Sequence, residues 1–160
     1  MIVVVAFRML PKDVWSIPTY GTFNLHASLL PKYRGAAPIH WAIINGEQQT
    51  GVTTFFINEQ IDKGEIIAQK SLIIGLYENA GQLSNRLEKI GATLTLETLN
   101  LIAMGRVNSR PQPNNNQTCL APKLTRENTQ LHWDQEGQRI ERKVSCLLYT
   151  SPSPRDIGES

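Results

Sequence analysis

The first residues run apolar without a break. Ile2–Phe7 is dominated by β-branched side chains, the pattern of a parallel strand covered on both faces. Pro11 ends that run, and Pro18-Thr-Tyr-Gly21 carries turn chemistry. Over residues 22–28 the pattern changes to period two. Phe23 and Leu25 alternate with Asn24 and His26, so the amide and the imidazole share one side of a strand. Residues 29–35 read as a loop around Pro31. Residues 37–45 read as a short helix, with Pro38 in its first turn and Gly46 as its stop. Two more strands are expected at 51–58 and 64–74, separated by the polar stretch 59–63. Asn79 then caps a long helix, with Gln82 placed to complete a capping box. Leu83, Leu87, Ile90, Leu94 and Leu101 supply its apolar stripe, Gly91 weakens it, and Gly105 terminates it. Strand, strand, helix, strand, strand, helix is the order of an α/β domain.

After Val107 the periodicity stops. Pro111-Gln-Pro-Asn-Asn-Asn-Gln117 has linker composition. A further short helix is expected over 135–145 with Asp134 as its cap. Residues 150–156 cannot continue any element and read as disordered. The chain opens directly in a buried-looking strand with no elements before it to flank that strand, so a fragment of a longer protein is the expectation.

Composition changes this picture little. The 160 residues are 41% hydrophobic and 19% charged, ordinary for a globular protein. No apolar run approaches the roughly 20 residues of a membrane helix, and Arg8 and Pro11 cut short anything resembling a secretory signal. A net charge of +2 does not by itself mark a nucleic-acid binder. Lys123, Arg126, Arg139, Arg142 and Lys143 gather positive charge late in the chain, offset by Glu127, Asp134, Glu136 and Glu141. Either a solvated face or a polyanion-binding surface fits. Cys119 and Cys146 have no metal or disulfide spacing and read as free thiols.

The chemistry-bearing residues are few. Asn24 and His26 lie where a strand meets a loop, the edge at which open α/β sheets bind ligands. There an amide can donate to a developing oxyanion, and an imidazole can donate or exchange a proton near neutral pH. A histidine satisfied by backbone carbonyls at a strand end is an equally ordinary reading. Asp62, in Ile61-Asp-Lys-Gly64, is either a turn-former or a carboxylate that orients His26. Ser28 lacks the setting of a nucleophile, and His40 and His132 show no ligand spacing with His26.

Two separated blocks bind these residues together. Phe23-Asn-Leu-His-Ala-Ser-Leu-Leu-Pro-Lys-Tyr-Arg-Gly35 and Gly51-Val-Thr-Thr-Phe-Phe-Ile-Asn-Glu-Gln-Ile-Asp-Lys-Gly-Glu-Ile66 resemble the signature motifs of the formyltetrahydrofolate-dependent formyltransferases. The resemblance runs over roughly residues 1–146. It implies the C-terminal half of a Rossmann-like formyltransferase domain with a mainly parallel sheet, followed by a linker and the start of a missing C-terminal barrel domain. The expected divisions are a catalytic part at 1–107, a linker at 108–130, the beginning of the second domain at 131–146, and a non-native or disordered tail at 147–160.

The resemblance also implies a catalytic trio of Asn24, His26 and Asp62, acting on 10-formyltetrahydrofolate without a metal. Val5-Ala-Phe-Arg-Met-Leu-Pro11 looks like the family's segment beside the pterin. Phe7, Arg8, Met9 and Leu10 are therefore expected folate contacts, together with Ser28, Leu29, Leu30 and Pro31. Lys32, Arg34 and Gly35 are expected on the side of the formyl acceptor. Arg34-Gly-Ala-Ala-Pro-Ile39 has the form usual in members that act on initiator-type methionyl-tRNA. Ala121-Pro-Lys-Leu-Thr-Arg-Glu127, Leu131-His-Trp133 and Ile140-Glu-Arg-Lys-Val144 resemble the connector of those members. A soluble cytoplasmic monomer is expected, or an organellar one in a eukaryotic source. Formylation of a nucleotide sugar or a purine precursor, and a non-catalytic folate-binding remnant, remain the alternatives.

Overall fold

A computed structural model describes residues 1–6, 10–113 and 119–147. The strands are β1 (Ile2–Val5), β2 (Thr22–His26), β3 (Arg34–Gly35), β4 (Gln49–Phe56), β5 (Ile66–Ile73) and β6 (Leu120–Ala121). The helices are α1 (Lys12–Trp15), α2 (Pro38–Ile44), α3 (Ala80–Ala103), α4 (Arg126–Thr129) and α5 (Gly137–Leu147). The main sheet has the order β1-β2-β4-β5, and β3 and β6 form a second, two-stranded sheet. In the main sheet β1 runs parallel to β2, while β2–β4 and β4–β5 are antiparallel. The sheet of this chain is thus mixed. The expected parallel pairing falls on β1 and β2, and the two long strands that follow fold back on it and on each other.

Helix α3 follows from its caps and its stripe. Asn79 accepts from the Gln82 amide and Gln82 answers on the Asn79 amide, a complete capping box. Gly105, with φ +64, receives the chain at the other end. The buried face is Ala80, Leu83, Leu87, Gly91, Leu94, Thr98 and Ile102. It includes two residues that hydrophobicity does not pick out, and Ile102 takes the place expected for Leu101, which is only partly buried. A Cβ on Gly91 would stand 2.9 Å from Leu25 Cδ2, so this glycine lets the helix approach β2 closely. Thr98 is fully buried. Its hydroxyl donates to the Leu94 carbonyl at 2.8 Å and lies 2.8 Å from the Thr54 hydroxyl on β4. Thr98→Val leaves Thr54 with only a 3.5 Å contact to the Ala68 carbonyl. The chain is expected to lose about 1–2 kcal/mol of stability in urea unfolding.

The late segment packs back onto this body. Cys146 is buried in the same core cluster as Ile43, Ile44, Leu83 and Leu87. Helix α5 begins at Gly137, not at the residue after Asp134, because 133–135 are occupied by a turn. Helices α1 and α4 have no counterpart in the hydrophobic pattern, being single turns without buried residues. Residues 148–160, with the expected disordered stretch, lie outside the described residues, as does 114–118 of the linker. No helix among the described residues is long and apolar enough to cross a membrane.

Candidate active site

The strand register builds the floor of the site. Val4 on β1 pairs with Asn24 on β2, and Asn24 pairs with Phe55 on β4. Cross-strand partners point to the same face, so these three side chains form a row. All three line one cavity of about 430 Å³. Leu25, on the opposite face, meets α3 at Gly91. The cavity is walled by Leu10, Pro11, Lys12 and Trp15 on one side and by residues 57–62 on the other. Two polar ties hold the first wall. The Thr22 hydroxyl donates to the Trp15 carbonyl at 2.8 Å, and the exposed Lys12 ammonium meets Glu59 at 2.5 Å across the mouth. That contact raises the pKa of Lys12 and lowers that of Glu59.

Asn24 stands out in this row. Its Oδ1 is buried, and among the described residues it is the buried side-chain polar atom without a hydrogen-bond partner. Buried amide oxygens are nearly always paired within the protein, and an orphaned one facing a cavity is suited to accept from a ligand.

His26, two residues on, is 7% exposed. Its Nε2 lies 2.8 Å from the Tyr33 backbone carbonyl. A carbonyl can only accept, so Nε2 carries the hydrogen and Nδ1 is the nitrogen free to exchange a proton. Nδ1 lies 3.9 Å from Asp62 Oδ2, beyond direct hydrogen-bond length and an ion pair only with the imidazole protonated. The same Oδ2 accepts from the Gly35 amide at 2.9 Å. Asp62 adopts a left-handed backbone, φ +52, which aspartate tolerates better than most residues. Asp62 thus sits in a turn, and its carboxylate lies beside His26.

The loop after β2 is fastened from behind. Tyr33 is buried with φ +59, its amide donates to the Cys119 carbonyl at 2.7 Å, and its hydroxyl donates to Glu47 at 2.9 Å. Burial pushes the Tyr33 pKa up. The tyrosine carbonyl that fixes the imidazole is thereby itself fixed.

The expected site residues separate into two groups. Asn24, His26, Asp62, Gly35 and Leu10 gather at the cavity or immediately behind it. Ser28, Leu29, Leu30 and Pro31 do not reach it. Ser28 is fully buried with its hydroxyl on the Lys32 carbonyl at 2.6 Å, and Leu30 is buried beside Phe55 and Ile66. Leu29 and Pro31 line a second cavity of about 310 Å³, with Tyr33 and Glu47. Lys32 is turned the same way, paired with Glu47 at 3.3 Å. Arg34 lies against the Asp62 turn, where its Nε donates to the Asp62 carbonyl at 3.1 Å, and burial lowers its pKa against the opposing effect of Asp62. Phe7, Arg8 and Met9 lie outside the described residues.

Two residues escaped the sequence reading. Tyr33 acts through its carbonyl, which any residue type carries. Gln112 sits in a segment whose composition says linker, yet its side chain grips Arg34, Asp62 and Gly64. Among the described residues no cluster of three or more histidine, cysteine or acidic side chains could hold a metal.

A model of the formyl transferase family matches residues 1–99, which carry the Asn24 row and the Asp62 turn. The chain belongs to the formyl transferase family. It is 53% identical over 152 residues to a methionyl-tRNA formyltransferase of Flavobacterium johnsoniae, covering 95% of this chain and 47% of the relative. It is 54% identical over 158 residues to the methionyl-tRNA formyltransferase of Chlorobium phaeovibrioides, covering 99% of this chain and 49% of that one. The chain thus spans about half the length of the curated relatives it matches. Among solved structures, it resembles the N-formyltransferase from Helicobacter canadensis in complex with folinic acid and dTDP-3-aminofucose. There the TM-score is 0.71 with 26% identity, over 84% of this chain and 51% of that one. It also resembles the formyltransferase PseJ from Anoxybacillus kamchatkensis, solved with a formamido sugar nucleotide and tetrahydrofolate. Here the TM-score is 0.71 with 25% identity, over 89% and 75% of the two chains. The α/β formyltransferase fold expected from the motifs is the fold of these relatives.

Proposed function

We propose that the protein to which this chain belongs transfers the formyl group of 10-formyltetrahydrofolate to the amino group of initiator-type methionyl-tRNA. The observation that carries the reading is the convergence of the Asn24 side chain and the Asp62 carboxylate on one cavity, with His26 Nδ1 aimed at that carboxylate. The family and the relatives at 53% and 54% identity support the choice of reaction and of acceptor. Folate ligands in two structural relatives support the donor, and the apolar lining from Val4, Leu10, Trp15, Phe55, Ile57 and Ile61 suits a flat heteroaromatic ring. Cytoplasm is the location this function implies.

In this mechanism the acceptor amine attacks the formyl carbon, forming a C–N bond while the carbonyl π pair moves onto oxygen. Asn24 and the protonated Nδ1 of His26 donate to that oxyanion, preorganised by the strand and by the Tyr33 carbonyl. Asp62 balances the charge of the protonated imidazole and takes the proton released by the amine, through water. Collapse restores the carbonyl and breaks the bond between the formyl carbon and N10. The proton taken by Asp62 passes through water to N10, which leaves as tetrahydrofolate, and the carboxylate is restored.

Relatives that bind sugar nucleotides share the fold, so the acceptor is the point to test. The full-length protein, incubated with 10-formyltetrahydrofolate, is expected to formylate methionyl-tRNA and to leave amino-sugar nucleotides unmodified. Formylation of the sugar alone overturns the acceptor; no transfer to either overturns the reaction.

A further inference from the structure

The Asp62 turn is held from a part of the chain that looks structureless by composition. Two backbone carbonyls flank Lys63, those of Asp62 and Gly64. Gln112 Nε2 donates to both, at 2.8 and 2.9 Å. Gln112 Oε1 in turn accepts from Arg34 Nε at 3.1 Å and Nη2 at 2.6 Å, while Arg34 Nε also donates to the Asp62 carbonyl at 3.1 Å. The next residue, Gly35, donates its amide to the Asp62 carboxylate. Gln112, Arg34 and Gly35 therefore close a ring of hydrogen bonds around one residue, fixing its backbone and its side chain together. Gln112 is itself fixed. Arg110 exchanges both backbone hydrogen bonds with Ile66, at 2.8 and 2.9 Å, and Pro111 and Pro113 restrict the backbone on either side. Gln112 is half-buried and does not line the cavity, so it acts on nothing there directly.

We propose that Gln112 is a positioning residue for the reaction, setting the place of the Asp62 carboxylate beside His26. This rests on the reading of Asp62 as an acting group. Without its two N–H donors, the left-handed Asp62 backbone is free to relax and the carboxylate leaves the position from which it serves the imidazole. A misplacement of about 1 Å can lower a rate on the order of a hundredfold.

The test has two independent arms. In the full-length protein, Gln112→Ala is expected to lower kcat about tenfold to a hundredfold while leaving KM for the folate unchanged. In an Asp62→Asn background the same change is expected to cost nothing further. Losses that multiply across the two sites, or a rise in KM with kcat preserved, would mean that Gln112 does not act through Asp62. Gln112→Glu keeps the acceptor for Arg34 and removes the donors, so it is expected to match Gln112→Ala; wild-type behaviour overturns the proposal even if the alanine variant fails to fold. The second arm needs no catalysis. Hydrogen exchange of the Gly35 amide, followed by NMR in the 160-residue chain, is expected to accelerate at least tenfold in Gln112→Glu as Asp62 detaches. Unchanged exchange overturns the proposal. Inactivity of the wild-type full-length protein would count against the functional reading alone, and the exchange arm would still decide this one.

Discussion

Asn24→Ala is expected to lower the formyl-transfer rate of the full-length protein by about 10²–10³, the loss seen when a preorganised oxyanion donor is removed elsewhere. The fold gives this change its unusual signature. Most buried asparagines are held by hydrogen bonds, and their removal weakens the protein along with its activity. Asn24 Oδ1 has no partner among the described residues, so the fold carries the desolvation of that atom without a compensating bond. Removing it relieves that penalty and costs only the packing of a small side chain against Val4 and Phe55. The thermal midpoint is therefore expected not to fall, while single-turnover transfer falls steeply. The companion variant Asn24→Leu keeps the branched shape, in a somewhat larger side chain without a donor, and is expected to be as slow. A rate within threefold of wild type for both variants would show that the amide does not meet the developing charge. A large loss of stability would show instead that Asn24 is a structural residue.

How far the sequence reaches depends on whether a residue acts through its side chain or through its backbone. Strand β2 and helix α3 are legible because period-two alternation and a capping box are local signals, and both occur where expected. Asn24, His26 and Asp62 can be named from the sequence because they fall inside two separated motif blocks, each residue being ambiguous on its own. The supporting structure is not legible in the same way. Tyr33 fixes the imidazole with a carbonyl, and Cys119, just before β6, holds Tyr33 with another carbonyl, so neither contribution leaves a mark on residue type. Gln112 is hidden for a different reason. Prolines on both sides signal the absence of helix and strand, yet the same prolines stiffen the extended segment that delivers its amide. Thr98 and Gly91 fall in the buried stripe of α3 because one finds a hydroxyl partner and the other allows close approach. Neither reason is visible without the neighbouring strand.

Gly64 shows how a glycine that reads as turn chemistry can be required by contact, and it predicts the largest loss of stability among the single changes considered. Its φ is not among the positive values, so the left-handed region that favours glycine is not the reason for it. A Cβ at this position would instead fall on the Phe56 carbonyl oxygen, with Phe55 Cδ2 3.3 Å away. Backbone cannot rotate aside as a side chain end can. Gly64→Ala must drive residues 62–64 away from β4, straining the Phe56–Glu65 hydrogen bond of 2.9 Å and the grip of Gln112 on the Gly64 carbonyl. Forced overpacking costs typically 1–3 kcal/mol, and a clash with backbone belongs at the upper end, about 3 kcal/mol. For a chain of this length that is a fall in the thermal midpoint of roughly 6–12 °C. Activity falls further than stability does, since Asp62 is two residues away and shifts with the turn. Gly91→Ala is the matched comparison. Its new Cβ meets only the movable end of Leu25, and alanine is the better helix former by about 1 kcal/mol, so its midpoint is expected to stay close to wild type. Thermal unfolding of the two variants side by side measures the difference. If both melt with the wild type, the Asp62 turn is not pressed against β4 as the structure has it, and the carboxylate owes its place to something other than that contact.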